Sequence, residues 1–375
     1  MAERGVASLV LDRQPEPFAG ASIRNEGKLH LGFVYALDGS GRTTSEMVEG
    51  ALTFTPLLER WCGDIDWEAN RSDRFAYAVV EGGLATPAEL ERHYGDVVSA
   101  VEKAGSELGR SYLGEEIQPA FTRGDGPPPG LRDGFCSAWF DTPERSVDPR
   151  ILRHHLTKAI EREPLVDLLT GRDVVSAGRT DSGFELKVAS ADGTETLATG
   201  RVANCAWERR AALDDQVGHP VEGLCYRLKH QVVIRGERSG HLTPLTIVQG
   251  PFGDVVPWPG GDVYVNWYPV TRTWFGDRPV EDPLPDPGVA DATLRKMTEI
   301  VPALEGSEVV NHGPCHIVAA AQSDIEDVES GLHSRLSPGI SGDAGWLSLS
   351  PGKLTTAPLA SERCAALMTD TPPYV

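Results

Sequence analysis

The sequence lacks paired cysteines. Its six, Cys62, Cys136, Cys205, Cys225, Cys315 and Cys364, are scattered with no CxxC among them, which argues against a disulfide framework and a zinc site. It also lacks any apolar run near the ~18 residues that would span a bilayer. Its opening residues, Met1-Ala2-Glu3-Arg4-Gly5, carry no apolar signal-peptide core. The cytoplasm is therefore the default compartment, and no transmembrane segment is expected. Positive charge is scarce: 35 basic against 55 acidic residues give a net charge of −20. A field of that sign repels phosphate backbones, so nucleic acid is not expected as a partner. The ten histidines are spread out. His312 and His316 are four apart, but Gly313 and Pro314 between them break a helix, so they read as a loop or strand edge rather than a metal pair. No internal repeat is visible.

What is present is an ordinary globular composition, 40% hydrophobic and 24% charged, over 375 residues. That length suggests two domains. Met1 to Gly5 reads as a last helical turn closed by glycine. Val6 to Leu11 reads as a buried strand. The spacing of Met47, Ala51, Phe54, Leu58 and Trp61 predicts a helix over 44–61, kinked or interrupted at Pro56. Phe75 to Val80 reads as a strand. Thr86-Pro87-Ala88-Glu89 is a capping box opening a helix to about Lys103. Gly124 to Gly130 reads as a loop. Asp148-Pro149 caps a helix to about Glu161. From Asp173 to Asn204 short strands alternate with turns at Asp181-Ser182-Gly183 and Asp192-Gly193. Antiparallel strands follow at 226–235, 243–249, 254–258 and 263–268. Helices are expected over 290–301 and 356–368. This order suits an α/β domain interrupted by an α+β domain.

Four segments resemble one family. The first is Leu9-Val10-Leu11-Asp12-Arg13, a strand ending in an acid. The second is Ala21-Ser22-Ile23-Arg24-Asn25-Glu26-Gly27-Lys28-Leu29-His30-Leu31-Gly32, similar to S-x-x-N-x-G-x-x-H-x-G. The third is Val202-Ala203-Asn204-Cys205-Ala206-Trp207. The fourth is Gly345 to Thr356, whose Pro351-Gly352-Lys353-Leu354-Thr355-Thr356 is similar to G-G-K-[LY]-T-T. Together they resemble the FAD-dependent oxidoreductases that include glycine oxidase, D-amino-acid oxidase, the flavin glycerol-3-phosphate dehydrogenases and L-2-hydroxyglutarate dehydrogenase, with the last two nearest.

The resemblance implies a fold class, a cofactor and site residues. The fold is α/β: a glutathione-reductase-like FAD-binding domain with an inserted α+β substrate domain on an antiparallel sheet. Residues 1–60, 145–215 and 305–375 would form the discontinuous FAD-binding domain, and 61–144 and 216–304 the substrate domain. Asp12, with Arg13, would meet the adenosine ribose. Ser22, Arg24, Asn25, Gly27, Lys28 and His30 would lie along the pyrophosphate and flavin, with Gly27 and Gly32 letting the backbone approach the cofactor. His30 is read as a buried, hydrogen-bonded histidine, with covalent flavin attachment as the other reading. Val174 would pair with adenine, or is simply strand core. Asn204, Cys205 and Ala206 would turn beside the FAD, with Cys205 a packing residue. Main-chain amides of Gly352, Lys353, Leu354 and Thr355 at a helix start would stabilise the reduced ring. Pro351 departs from the pattern and removes one donor.

The larger departure lies upstream. The family opens with a strand and G-x-G-x-x-G, and no such motif precedes Asp12. Gly39-Ser40-Gly41 lies after the flavin loop and cannot replace it. The expectation is an N-terminally truncated chain, its start placed too late; the other reading is a specialised copy.

For the substrate, Tyr264, Asn266 and Tyr268 share one strand face, either toward the flavin or in solvent. Arg227 and Lys229 read as a solvent-facing basic pair, with anion binding the alternative. Arg335 is the candidate for fixing an anionic substrate, with a structural salt bridge as its other reading. His316 stands where related dehydrogenases carry an anion-gripping arginine, and His316 or His333 is the candidate proton acceptor. The expected enzyme removes hydride from a C–OH or C–NH centre of a small anionic substrate and passes electrons to oxygen, quinone or another acceptor. The alternative is a non-catalytic, cofactor-free remnant of the same fold.

Overall fold

The computed structural model describes every residue except 125–127, 129, 336–338, 344 and 371–375. Most of the loop expected over 124–130 therefore lies outside the described residues. Helices form where amphipathic spacing and caps coincide. The capping box at Thr86 is complete, and its helix runs Pro87–Leu108, five residues past the expected end. Asp148 caps Pro149–Arg162 through the amide of Arg150. Helix Arg42–Cys62 continues through Pro56, whose ring lies on the exposed face. At its start the Asp38 carboxylate accepts from the amide of Thr43 at 3.0 Å. The opening turn, Ala2–Arg4, closes at Gly5 with φ of 70°.

A nine-stranded sheet dominates the molecule. Its long central strand Leu224–Arg235 pairs antiparallel with Arg272–Gly276, Asp262–Trp267 and Glu308–Ala320. The last of these carries His312 and His316, so both histidines lie on a strand. One pair in the sheet is parallel, Leu245–Val248 with Phe75–Val79. Both faces of the sheet are covered. On one, Phe75, Tyr77, Phe140 and Tyr264 pack with Leu52 and Phe54 of helix Arg42–Cys62 and Tyr94 and Val97 of helix Pro87–Leu108. On the other, Val232, Ile234, Val263 and Val265 pack against Ala290, Met297 and Ile300 of helix Pro287–Ile300. Each buried Val, Leu, Ile, Phe or Met among these contributes about 1.5–3 kcal/mol.

Outside that sheet, the described residues form two further parallel pairs. Strand Ser8–Asp12 pairs only with Val166–Thr170. Strand Val202–Asn204 pairs with Trp346–Ser350, which also pairs antiparallel with Gly339–Gly342. A meander of three strands, Asp173–Thr180, Gly183–Ser190 and Gly193–Thr199, packs beside them. The expectation of a buried strand at Val6 to Leu11 is corrected here: Leu9 and Val10 are 48% and 39% exposed. Among the described residues no strand covers the second edge of Ser8–Asp12, so its apolar side chains open into a cavity instead of a core.

Candidate active site

The early loop is shaped by its own side chains. Asn25 donates to the carbonyls of Ala21 and Ser22 and accepts from the amide of Gly27 at 2.9 Å. It therefore closes the turn rather than offering free groups. Arg24 donates to the carbonyl of Pro314. The glycines have a packing reason: a Cβ on Gly27 would lie 1.8 Å from the Val147 carbonyl oxygen, and one on Gly32 2.9 Å from Thr44. Both need positive φ, 70° and 117°. At both glycines, protein atoms stand where a Cβ would go.

The late turn meets this loop. Strand Trp346–Ser350 ends at Pro351, and Gly352 turns the chain with φ of 75°. A helical turn, Leu354–Thr356, leads into helix Ala357–Thr369. The amide of His30 donates to Thr355 Oγ1 at 2.8 Å.

Loop and turn border one large cavity of about 1880 Å³, well above the ~300–1,000 Å³ of an ordinary small-ligand pocket. Asp12, Arg13, Ser22, Arg24, Asn25, Lys28, His30, Val174, Asn204, Cys205, Ala206, Gly352, Lys353 and Leu354 line it, as do Tyr268, His316, His333 and Arg335. Gly27 and Thr355 do not. Several of these side chains already have protein partners. The Asp12 carboxylate accepts from the amides of Gln14 and Phe18. Arg13 pairs with Glu208. Asn204 donates to Asp214 at 2.7 Å.

A chain of buried charges lies along the cavity wall. Lys28 pairs with Asp254 at 3.4 Å, bonds Thr246 and sits over the Phe75 ring. His30 is buried, with its ring nitrogens 3.7 Å from Glu26 and 3.6 Å from Glu144. Those distances are ion-pair range and too long for hydrogen bonds, which corrects the hydrogen-bonded reading of His30. Burial works to raise Glu144, but His30, Lys28 and the Tyr77 hydroxyl hold its carboxyl down to about 2. Burial pushes the Lys353 amine down to about 8, against the opposing charge of Glu26.

A second cluster is cationic. Arg227 is 2% exposed and lines the cavity, which corrects its reading as solvent-facing. Tyr264 and Asn266 are buried as well, so that strand face is not a solvated one; Tyr268, also buried, stands just past the strand and opens the short helix Tyr268–Thr271, which corrects its place on the strand face. Arg227 Nη1 donates to Tyr268 Oη at 3.1 Å, and Tyr268 donates to Asp324 at 3.0 Å. Burial pushes the Tyr268 phenol up to about 12. Arg335 is 8% exposed; its amide is held by Thr43 Oγ1 at 2.9 Å. Among the described residues neither arginine has a carboxylate partner, so the salt-bridge reading of Arg335 falls. Arg227 Nε and Nη2 and Arg335 Nε are buried without hydrogen bonds. Burial lowers both His316 and His333. His316 Nε2 accepts from the Val280 amide, whereas His333 Nε2 meets the Asp327 carbonyl at 2.8 Å.

Over residues 1–365 the sequence matches the family described as FAD dependent oxidoreductase, DAO. The chain belongs to this family. Solved structures share its fold. Glycine oxidase from Geobacillus kaustophilus is 15% identical, with 98% of this chain and 89% of that one covered and a TM-score of 0.70. Iminodiacetate oxidase from Chelativorans sp. BNC1 is 16% identical, covering 100% and 92%, with a TM-score of 0.67. L-alpha-glycerophosphate oxidase from Mycoplasma pneumoniae, solved with FAD bound, is 13% identical, covering 98% and 90%, with a TM-score of 0.62. No curated protein sequence matches.

As a DAO-family chain it is an FAD-dependent oxidoreductase. The cavity has room for the cofactor and holds a half-buried lysine, Lys353, that among the described residues has no carboxylate within salt-bridge distance. Among the described residues no helix is long and apolar enough to cross a membrane. Sequence reasoning missed Tyr35, Tyr77, Glu144 and Asp324, which stand on separate segments, three of them loops, with no spacing signal to join them. Glu26 was visible inside the loop motif but unassigned.

Proposed function

We propose that this enzyme removes hydride from a C–OH or C–NH centre of a small anionic substrate held by Arg335, and passes the electrons to oxygen, quinone or another acceptor. One observation carries the reading. The buried guanidinium of Arg335 lacks an acidic partner and faces the same cavity as the early loop and the late turn. An unpaired buried cation is costly, and a substrate carboxylate or phosphate offsets it. In this reading residues 1–60, 145–215 and 305–375 carry the cofactor and 61–144 and 216–304 the substrate, in a cytoplasmic enzyme.

When bound, FAD supplies the two-electron redox chemistry. The chain supplies orientation and a proton acceptor. The Lys353 amine and the amides of Gly352 and Leu354 would lend positive potential to the bound ring, whereas the Lys353 amide is taken by the Pro351 carbonyl. His333 is the preferred acceptor of the substrate proton. Its Nε2–H donates to the Asp327 carbonyl, which leaves Nδ1 with a free lone pair. His316 Nε2 accepts from Val280, so its proton sits on Nδ1 and no lone pair remains. Burial keeps His333 neutral and ready to accept.

The test is anaerobic bleaching of the visible flavin band by a panel of amino acids, 2-hydroxy acids and glycerol phosphates. At least one should bleach it, and Arg335→Met should raise its KM by about tenfold or more. His333→Gln should lower kcat by roughly 10²-fold. If no member of the panel reduces FAD-loaded protein, the reading fails.

A further inference from the structure

We infer that the substrate is a small dicarboxylate, with one carboxylate gripped by Arg227 and the other by Arg335. This rests on the anion-site reading above and narrows it to a substrate class. Arg227 comes from the long strand Leu224–Arg235, and Arg335 from the segment after the turn Gly331–His333. Both are at least nine-tenths buried, and both line the cavity.

Each guanidinium keeps bonding capacity that the protein does not use. Arg227 spends Nη1 on the Tyr268 hydroxyl, while Nε and Nη2 remain unpartnered. Those two nitrogens form one fork, the geometry that takes both oxygens of a carboxylate. Arg335 Nε is also unpartnered, and the Tyr35 hydroxyl lies against its guanidinium. Its neighbours are Tyr35, Arg227 and Tyr268, none of them an acid.

The nearby acid is already committed. Asp324 accepts from the Tyr268 hydroxyl at 3.0 Å and from the Ile325 amide at 2.8 Å, and it pairs with Arg272 at 3.0 Å. It therefore cannot neutralise Arg227. Two like charges are left close together in a desolvated site. A monocarboxylate would occupy one fork and leave the second cation unpaired. A dicarboxylate fills both forks and balances both charges.

The test is calorimetric titration of FAD-equilibrated protein with succinate, butyrate and methyl phosphate, none of which bears an oxidisable C–OH or C–NH centre. Succinate should bind at least about tenfold more tightly than butyrate. Arg227→Met and Arg335→Met should each bring succinate down to the butyrate level. Arg227→Lys, which keeps the charge and loses the fork, should fall between. The succinate-to-butyrate ratio on the unaltered protein decides even where a variant fails to fold. Equal binding of succinate and butyrate overturns the dicarboxylate assignment and leaves the anion-site reading standing. Methyl phosphate binding as tightly as succinate overturns it in favour of a single dianionic group. If none of the three binds, the anion-site reading fails as well.

Discussion

The main-chain amide of His30 donates to the hydroxyl of Thr355 at 2.8 Å, across 325 positions of sequence. This bond fastens the asparagine-glycine loop to the glycine-lysine turn, and both groups are fully or nearly fully buried. Thr355→Val keeps the shape and removes the acceptor. A buried N–H left unpaired costs about 1–3 kcal/mol. The variant should lose that much in urea unfolding, and Thr355→Ser should recover most of it. No loss in either variant would show that the bond does not hold the two turns together.

Glu144 should govern acid stability. Its carboxyl sits at about 2 against an ordinary 4.5. A depressed carboxylate stabilises the fold fully above its unfolded value, and that contribution is lost as pH falls from about 4.5 toward 2. The shift corresponds to about 3 kcal/mol. Glu144→Gln should therefore be less stable than the unaltered protein at pH 6, by about 3–5 kcal/mol because it also strands His30 and Lys28. The gap should narrow on acidification. Parallel stability curves from pH 6 to pH 3 would contradict the assignment.

Much of this fold was legible because its parts are local. A capping box at Thr86, the proline-capped helix after Asp148 and the glycine-lysine turn at 352–353 each carry their signal within a few residues. The reading went wrong where the answer lies across the fold. Ser8–Asp12 has the apolar texture of a buried strand, yet its burial depends on what stands along its second edge. Arg227 alternates with Leu228 as any half-exposed strand does. Its burial depends on neighbours such as Tyr268, which lies across its guanidinium and comes from another part of the chain. Gly27 is visible in the sequence, but the Val147 carbonyl that its missing Cβ would strike, 120 positions away, has no mark there.

Gly27→Ala tests that close approach. Left-handed φ alone costs a non-glycine residue roughly 1–2 kcal/mol. The added Cβ would also stand 1.8 Å from the Val147 oxygen, which is main chain and cannot swing aside. The variant should be destabilised by more than the backbone term alone, and Gly5→Ala is the control. Gly5 has the same φ of 70° with nothing near its Cβ position. Equal losses in urea unfolding would mean that the close approach to Val147 is unimportant.

Lys353 gives the opposite pH signature to Glu144. Burial depresses its amine to about 8 from 10.5. Below about pH 8 both folded and unfolded chains carry the proton, and the fold bears the whole cost of burying the charge. Between about 8 and 10.5 the folded amine is neutral while the unfolded one stays protonated, so stability rises with pH. Lys353→Met never bears that cost. It should be more stable than the unaltered protein at pH 7, and the advantage should shrink by pH 10 in thermal unfolding without cofactor. FAD brings phosphate charge to the cavity, which favours the ammonium form and raises its pKa. With FAD present the advantage of the methionine variant should therefore fall at pH 7 and its closing window move to higher pH. A gap that ignores both pH and FAD would mean that Lys353 does not face the cofactor.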